Sequence, residues 1–546
     1  MSVSDKQASN WLVRLGHLLF VLSIIPLLLT GLRIAVANEP ALIRFSMLLP
    51  QGNVHQWHFY AAMGFGVATL LYSIGRVRRK RLPRLTHPKK TMQWFNATHY
   101  LAWGLLFVSL LTGLQLISQF SILPVDLTLR LHLISALLFV IYLLIHTVLA
   151  FVALPWQTVL RFFSLRNARW YYALVPIALS IVVVGTTSLL LLRQPVLTLK
   201  KTTSQIELDG DLREPAWQSA NTVAIKTYQG YAQPVDGTTV TIKALHDEEY
   251  AYFYLNWPDA TRSQVHVPLV KTNEGWEVVQ TALGTADENR FYEDKLAIML
   301  SESDQWAGAG TVQLGQHPLS HQPAPANGRG LHYTTDQSIA DVWHWKSVRT
   351  GLSIQQADDN YFGPPSPSDS EYKRYTGGYQ KDRDDCEHLL RWDGQDYQTK
   401  PNCGGYVMNW RLYSDDLVVP IRLPKDPSVL KRVAQFDRNP DTSDFGAWWL
   451  DWDDTVAYHP DDDDYPVGTI IPSVLSLGPF SQGRGDVQAV AYWRDDHWQM
   501  EIKRALNTES VFDLPITDDV YLWVSTFDHS QTRHSYHLKP IRLKLE

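Results

Sequence analysis

Residues 131–150 read LHLISALLFVIYLLIHTVLA, an apolar run long enough to cross a bilayer and interrupted by two histidines, His132 and His146. Fourteen positions at roughly 100° each return the second histidine to within about 40° of the first, about 21 Å further along the helix axis. The two imidazoles therefore share one face at opposite depths. An unpartnered imidazole in hydrocarbon is costly, so this stripe must face the inside of a helix bundle and find partners there. Packing histidines hydrogen-bonded to neighbouring helices satisfy that demand. So do two stacked haems, each taking its second axial ligand from another helix.

Five segments are long and apolar enough to serve as spans: residues 11–35, 54–74, 94–117, 127–154 and 170–192. The connection after the second, RVRRKRLPRLTHPKK, holds eight Lys and Arg, and the one after the fourth holds Arg161, Arg166 and Arg169. The other two connections are nearly uncharged. The positive-inside rule then puts the N-terminus and both basic loops in the cytoplasm, and five spans deliver everything after Arg193 to the far side, the periplasm of a Gram-negative cell. The first apolar run lacks a small-residue cleavage site, so it reads as a retained signal anchor.

Charge divides the chain at the same place. Residues 1–200 carry a net +15 and residues 201–546 a net −21. The basic residues cluster beside apolar spans rather than over a soluble face, which argues against nucleic acid as a partner. From about residue 205 short β-rich runs take over, among them TVTIKAL, YAYFYLNW, KLAIML and VYLWVSTF, with Gly, Pro, Asn and Asp between them. That is the pattern of an all-β sandwich with long loops. Residues 316–330 and 358–374 read as loops, and Asp461–Asp464 as a solvated acidic loop. Cys386 and Cys403 allow a disulfide or two free thiols. No C-x-x-C-H occurs, so covalent haem is not expected.

Given the orientation above, His132 lies near the periplasmic surface and His146 near the cytoplasmic one. His17, early in the first span, can pair with His146; His55 or His58, opening the second span, can pair with His132, and His58 sits deeper. His99 reads as a packing, proton-relay or quinone-site residue.

Several motifs in order resemble the di-haem cytochrome b subunits of formate dehydrogenases and nickel hydrogenases. They are R-x-x-H at Arg14 and His17, T-G at Thr30–Gly31 and Thr112–Gly113, W-F-N-A-T-H-Y opening the third span, and H-x13-H in the fourth. The resemblance covers roughly residues 10–155. It implies two b-type haems on His17, His58, His132 and His146, with His55 the competitor of His58, and electron exchange with a quinone pool.

The second half resembles the haem-binding gamma subunit of ethylbenzene dehydrogenase, through IELDGDLREPAWQSA, EDKLAIML, DVWHWKSVRTG, GRGDVQAVAYWRDDHWQMEIKRAL and the terminal FDHSQTRHSYHLKPIRLKL. This resemblance implies a third b-type haem held by Met299 and a basic residue near the C-terminus, His534 before His537 or Lys539. Trp343 and Trp345, around His344, read as lining a haem pocket or as simple strand core, and His344 as a hydrogen-bonded pocket residue. Apart from the resemblance, Met299 in an apolar strand reads as core packing.

The expected protein is of α + β multidomain class. A transmembrane cytochrome b bundle occupies 1–160, a fifth connecting span and linker 161–203, and an all-β sandwich 204–546. The function expected is inner-membrane electron transfer in a respiratory chain, between the quinone pool and a periplasmic redox partner. Two readings compete. I-x-L-D-G-x-x-x-E-x-x-W also resembles family-nine carbohydrate-binding modules, which suggests a cytochrome-anchored ligand-binding or sensing module. The membrane half could also be a purely structural anchor for a periplasmic enzyme.

Overall fold

The computed structural model describes residues 3–36, 45, 48–79, 88–118, 122–162, 174–228, 230, 237–279, 291–310, 313–314, 333–364, 378–382, 400–402, 404–412, 417–429, 449–531 and 534–546. Cys386 and Cys403, most of the basic connections and residues 316–330 lie outside them. The chain divides into two compact units, Met1–Arg193 and Gln194–Glu546.

The first unit is helical: α1 Val3–Val36, α2 Val54–Arg79, α3 Lys90–Ile117, α4 Val125–Ala153, α5 Trp156–Phe162 and α6 Leu174–Leu192. Four helical segments, Trp11–Val36, Lys90–Ile117, Val125–Ala153 and Leu174–Leu192, have the length and apolarity of membrane spans, which makes this a multi-pass membrane protein. That is one fewer than the sequence reading expects. The missing one is α2, long enough but diluted by His55, His58 and a basic end at Arg76, Arg78 and Arg79.

Helix α1 packs on α2, and α3 on α4. The first pair is tight because glycine lets the backbones approach. A Cβ on Gly16 would lie 2.9 Å from the Tyr72 nitrogen, and one on Gly75 2.8 Å from Val13. Between α3 and α4, the Gln115 amide donates to Thr128 Oγ1 at 2.8 Å while its oxygen accepts from Leu123 N at 3.1 Å, so one side chain fixes the turn. Helix α4 shows why residues 131–150 are apolar all round. Ser135 and Phe139 are buried, on one stripe with His132, Tyr142 and His146. Ile134, Leu137, Ile141, Leu144 and Val148 lie exposed on the other faces, as lipid contact requires.

The second unit is β-rich and built on one twelve-stranded sheet. Its order is Tyr379–Lys381, Asp358–Phe362, Ala340–Lys346, Lys295–Ser301, Tyr521–Phe527, Ile541–Leu545, Val196–Lys201, Thr238–His246, Tyr250–Pro258, His497–Ala505 and Gln488–Arg494; Thr222–Thr227 pairs separately with Thr238–His246. The sheet curls so that its two halves share a core. Leu296, Ile298, Leu300, Trp343 and Trp345 meet Phe253, Leu255, Trp257, Trp498 and Ile502. Trp345 lies edge-on to Trp498 at 5.0 Å and Trp343 to Phe253 at 5.6 Å.

Two sequence expectations change here. Strand structure begins at Val196 rather than near 205, and Val196–Lys201 runs parallel to both its neighbours. The first residues read as loop in 358–374 form a wholly buried strand. Its first aspartate is answered from elsewhere in the chain: Asp358 pairs with Lys346 and, at 2.6 Å, with Arg484.

Candidate functional site

In the helical unit three of the expected histidines share one device. The His58 Nδ1 lies 2.9 Å from Thr30 Oγ1 on α1. That hydroxyl donates its single proton to the Pro26 carbonyl at 2.6 Å, so toward the ring it can only accept. Nδ1 of His58 therefore carries the proton, and Nε2 presents a lone pair. His132 repeats this with Thr112, 2.9 Å away, whose hydroxyl donates to Val108 O at 2.7 Å. His146 does so with Thr98, 3.1 Å away, whose hydroxyl donates to Phe95 O at 2.7 Å. Each helical threonine uses its i−3 or i−4 carbonyl as a proton sink and orients an imidazole on another helix. Second-shell bonds of this kind set the tautomer of a metal-ligating histidine.

The T-G pairs follow from the same geometry. A Cβ on Gly31 would stand 3.1 Å from His58 Cε1, and one on Gly113 3.3 Å from His132 Cε1. Threonine holds the ring and glycine makes room for it. Sequence reading marked both pairs as motifs without seeing their task, and it passed over Thr98, next to the more conspicuous His99.

The rings of His58 and His132 stand 6.2 Å apart between centroids, at 76°. Two imidazoles on opposite sides of one iron, with metal–nitrogen bonds of about 2 Å, have centroids roughly 6 Å apart. His55 is in the first turn of α2, one turn before His58. At the other end of the histidine stripe, His146 stacks on Phe95 at 5.2 Å and meets His99 edge-on at 5.6 Å. His17 lies near both His99 and His146. His99 Nδ1 donates to Phe95 O at 3.0 Å. The donor set, imidazoles from different helices of an apolar bundle, three of them held through Nδ1 by threonine, suits haem iron.

In the β-rich unit, Met299 is buried on Lys295–Ser301, facing away from the shared core, between Val342 and Trp523. It packs in a cluster with Ala309, Ala340, Phe362 and Trp523. His534 reaches the same place: its Nε2 donates to Ala309 O at 2.8 Å, and its ring lies 5.2 Å from Phe527. His537 is a structural residue. Its Nε2 accepts the Val524 N–H at 3.0 Å and its Nδ1 donates to Lys539 O at 2.6 Å, which occupies both nitrogens. Lys539 Nζ lies 5.9 Å from the Trp306 ring, and burial lowers its pKa.

His344 shares the Met299 face. It stacks on Phe527 at 5.3 Å and lies 3.4 Å from the Tyr379 hydroxyl. Burial, then Lys346 and Lys295, hold it neutral with a pKa well below the usual histidine value. Trp343 and Trp345 point the other way, into the core, so they do not line this face. The I-x-L-D-G-x-x-x-E-x-x-W segment is also consumed internally. Glu501 accepts from Asp209 N at 2.9 Å, Gly210 N at 2.7 Å and Trp217 Nε1 at 3.0 Å, and Trp217 is 1 % exposed. In the acidic run, Asp463 binds the Trp276 indole at 2.9 Å and pairs with Lys271, which makes it an anchor of its loop.

Comparison with known proteins follows the same division. Residues 8–165 match the prokaryotic cytochrome b561 family, whose members carry b-type haem, and residues 214–539 match the ethylbenzene dehydrogenase family. No protein of curated function matches the chain. Among solved structures, a carbohydrate-binding protein proposed from Bacteroides uniformis shares 7% identity over 65% of this chain and 100% of its own, at a TM-score of 0.25. A family-nine carbohydrate-binding module from Caldicellulosiruptor kristjanssonii, in complex with cellotriose, shares 8% over 65% and 95%, at 0.21. Neither likeness bears on what this chain binds. The chain belongs to the ethylbenzene dehydrogenase family, with that domain fused behind a prokaryotic cytochrome b561 domain.

Proposed function

We propose that the protein is an inner-membrane b-type cytochrome passing electrons between the quinone pool and a redox partner in the periplasm. In this reading α2 joins the four apolar helices as a fifth span and the N-terminus is cytoplasmic. His58 with His132, and His17 with His146, hold two haems, and Met299 with His534 holds a third. The haems, when bound, supply one-electron carriers. The chain's own part is to hold the axial nitrogens unprotonated, orient them through threonine, and exclude water from the bundle. The observation that carries the reading is the His58–His132 pair, two imidazoles from different helices, 6.2 Å apart, each with its Nδ1 proton tied to a threonine.

A haem held by Met299 and an imidazole would have a higher potential than one held by two histidines, which would favour flow from the membrane toward the periplasmic side. His99, against His146, is placed to exchange a proton or meet a quinone there. The test is haem stoichiometry by pyridine haemochrome on the full-length protein in detergent, with reduction by a quinol analogue. Three b-type haems per chain, reducible by quinol, are expected. Two would remove the outer haem, and none would overturn the reading.

A further inference from the structure

At one end of the shared core, away from Met299, three aspartates from separate elements converge: Asp341 on Ala340–Lys346, Asp359 on Asp358–Phe362, and Asp513 after His497–Ala505. All three are buried, and one carboxylate oxygen of each lies within 4.8 Å of the others. Arg504 is wholly buried among them, its Nη2 2.9 Å from Asp341 Oδ2 and 3.1 Å from Asp513 Oδ2. Three carboxylates against one guanidinium leave two negative charges without compensation in a site that excludes water.

Asp359 shows where those charges are directed. It is 0 % exposed, and neither of its oxygens accepts a hydrogen bond from any described residue; Asp513 Oδ1 accepts none either. Asp513 Oδ2, by contrast, takes Thr508 Oγ1 at 2.6 Å. Native proteins rarely leave a buried carboxylate so unserved. An open groove of about 410 Å³, lined by Asp382, Asp486, Ser510 and Phe512, lies beside the cluster. Asp382 follows on from it, its N–H donating to Asp359 O at 3.1 Å.

We propose that Asp341, Asp359 and Asp513 bind a divalent cation of the calcium class, entering through this groove. A doubly charged ion neutralises the site together with Arg504. Oxygens within 4.8 Å of one another fit a single ion with bonds of about 2.4 Å, the calcium range. A set made only of hard carboxylate oxygens excludes a soft metal, and three carboxylates converging without enforced octahedral geometry suit calcium better than magnesium. The ion would tie Ala340–Lys346 and Asp358–Phe362 to the segment after His497–Ala505.

The full-length protein, stripped with EDTA and desalted, is titrated with calcium chloride while the unfolding of the β-rich unit is followed by tryptophan fluorescence. Calcium should raise the unfolding temperature, magnesium should do so less, and metal analysis should find about one tightly held calcium per chain. Asp359→Asn should lose both the bound ion and the thermal response while keeping the haem spectrum of the helical unit. If that variant does not fold, Asp513→Asn gives the same reading. A stripped wild type indifferent to millimolar calcium overturns the proposal. A variant that responds like wild type overturns it too, because the ion then sits elsewhere, as on the exposed Asp461 and Asp462.

Discussion

The two candidate haem environments are built on opposite principles. In the helical unit His58, His132 and His146 each have the Nδ1 proton fixed by a threonine on another helix. In the β-rich unit Met299 sits in a cluster of apolar and aromatic side chains, and its expected partner, His534, is bonded to a main-chain carbonyl. Hydrocarbon gives an imidazole no alternative partner, so the membrane site has to be hydrogen-bonded from the outset. A thioether makes no such demand, so a strand can carry Met299 with nothing around it that marks a ligand.

The largest effect separates the two units. His132→Ala and His58→Ala should each remove the same single haem, so the haemochrome yield falls by about a third and the double variant is no worse than either single one. If His58→Ala keeps its haem while His55→Ala loses one, the 6.2 Å pair is a packing contact and His55 is the ligand. Against His146, His17→Ala should cost a haem and His99→Ala should not; the reverse result moves that ligand to α3.

Met299→Ala should remove the outer haem and leave the membrane spectrum intact, and Met299→His should keep the haem at a lower potential. His534→Ala should match Met299→Ala. If Lys539→Ala matches it instead, His534 is only a main-chain anchor for Ala309. His537→Ala should destabilise the fold by about 1–3 kcal/mol, through the Val524 N–H left unpaired, whether or not haem is bound.

A smaller effect tests the threonine device. Thr112→Val keeps the shape of the side chain and removes the oxygen that accepts the His132 proton. Haem should still bind, but with affinity weaker by roughly 10–100-fold and a shifted potential. The same change at Thr30 should act on the same haem, and at Thr98 on the other. Three equal responses in the membrane, and none from the polar groups around Met299, would make the contrast between the units one of mechanism.

What the sequence made legible follows the same contrast. The His132–His146 stripe could be read from spacing because a membrane helix has one inward face, and the structure places Ser135 and Phe139 between them on it. The pairing of His58 with His132 followed from depth alone. Thr98 was hidden because a threonine in a helix is usually unremarkable, and its role depends on a histidine 48 residues away. Strand Asp358–Phe362 was hidden because consecutive aspartates resemble a loop until Lys346 and Arg484 are seen to answer one of them. Val196–Lys201 was hidden because only three residues separate it from an apolar helix. Met299 stands out as a candidate only through family resemblance, since its neighbours on the sheet are set by register with strands from 43 to 224 residues away.

The smallest effect lies in the fold itself, at the contact that made the domain resemble a sugar-binding module. Glu501 is buried against Asp209, Gly210 and Trp217, and burial, outweighing the N–H groups that it accepts, raises its pKa to about 7. In the unfolded chain a glutamate titrates near about 4.3. Between those values the folded form binds the proton more tightly, so this contribution to stability is fully present below the unfolded value and is lost as pH rises through about 7. The wild-type unfolding temperature, compared with that of Glu501→Gln, should therefore show an advantage that shrinks by about 2–4 °C between pH 5 and pH 8. An advantage that grew with pH would mean that the three N–H groups hold Glu501 as an anion. Either outcome leaves Trp217 inside the fold, and exposed aromatics elsewhere would have to carry any sugar binding.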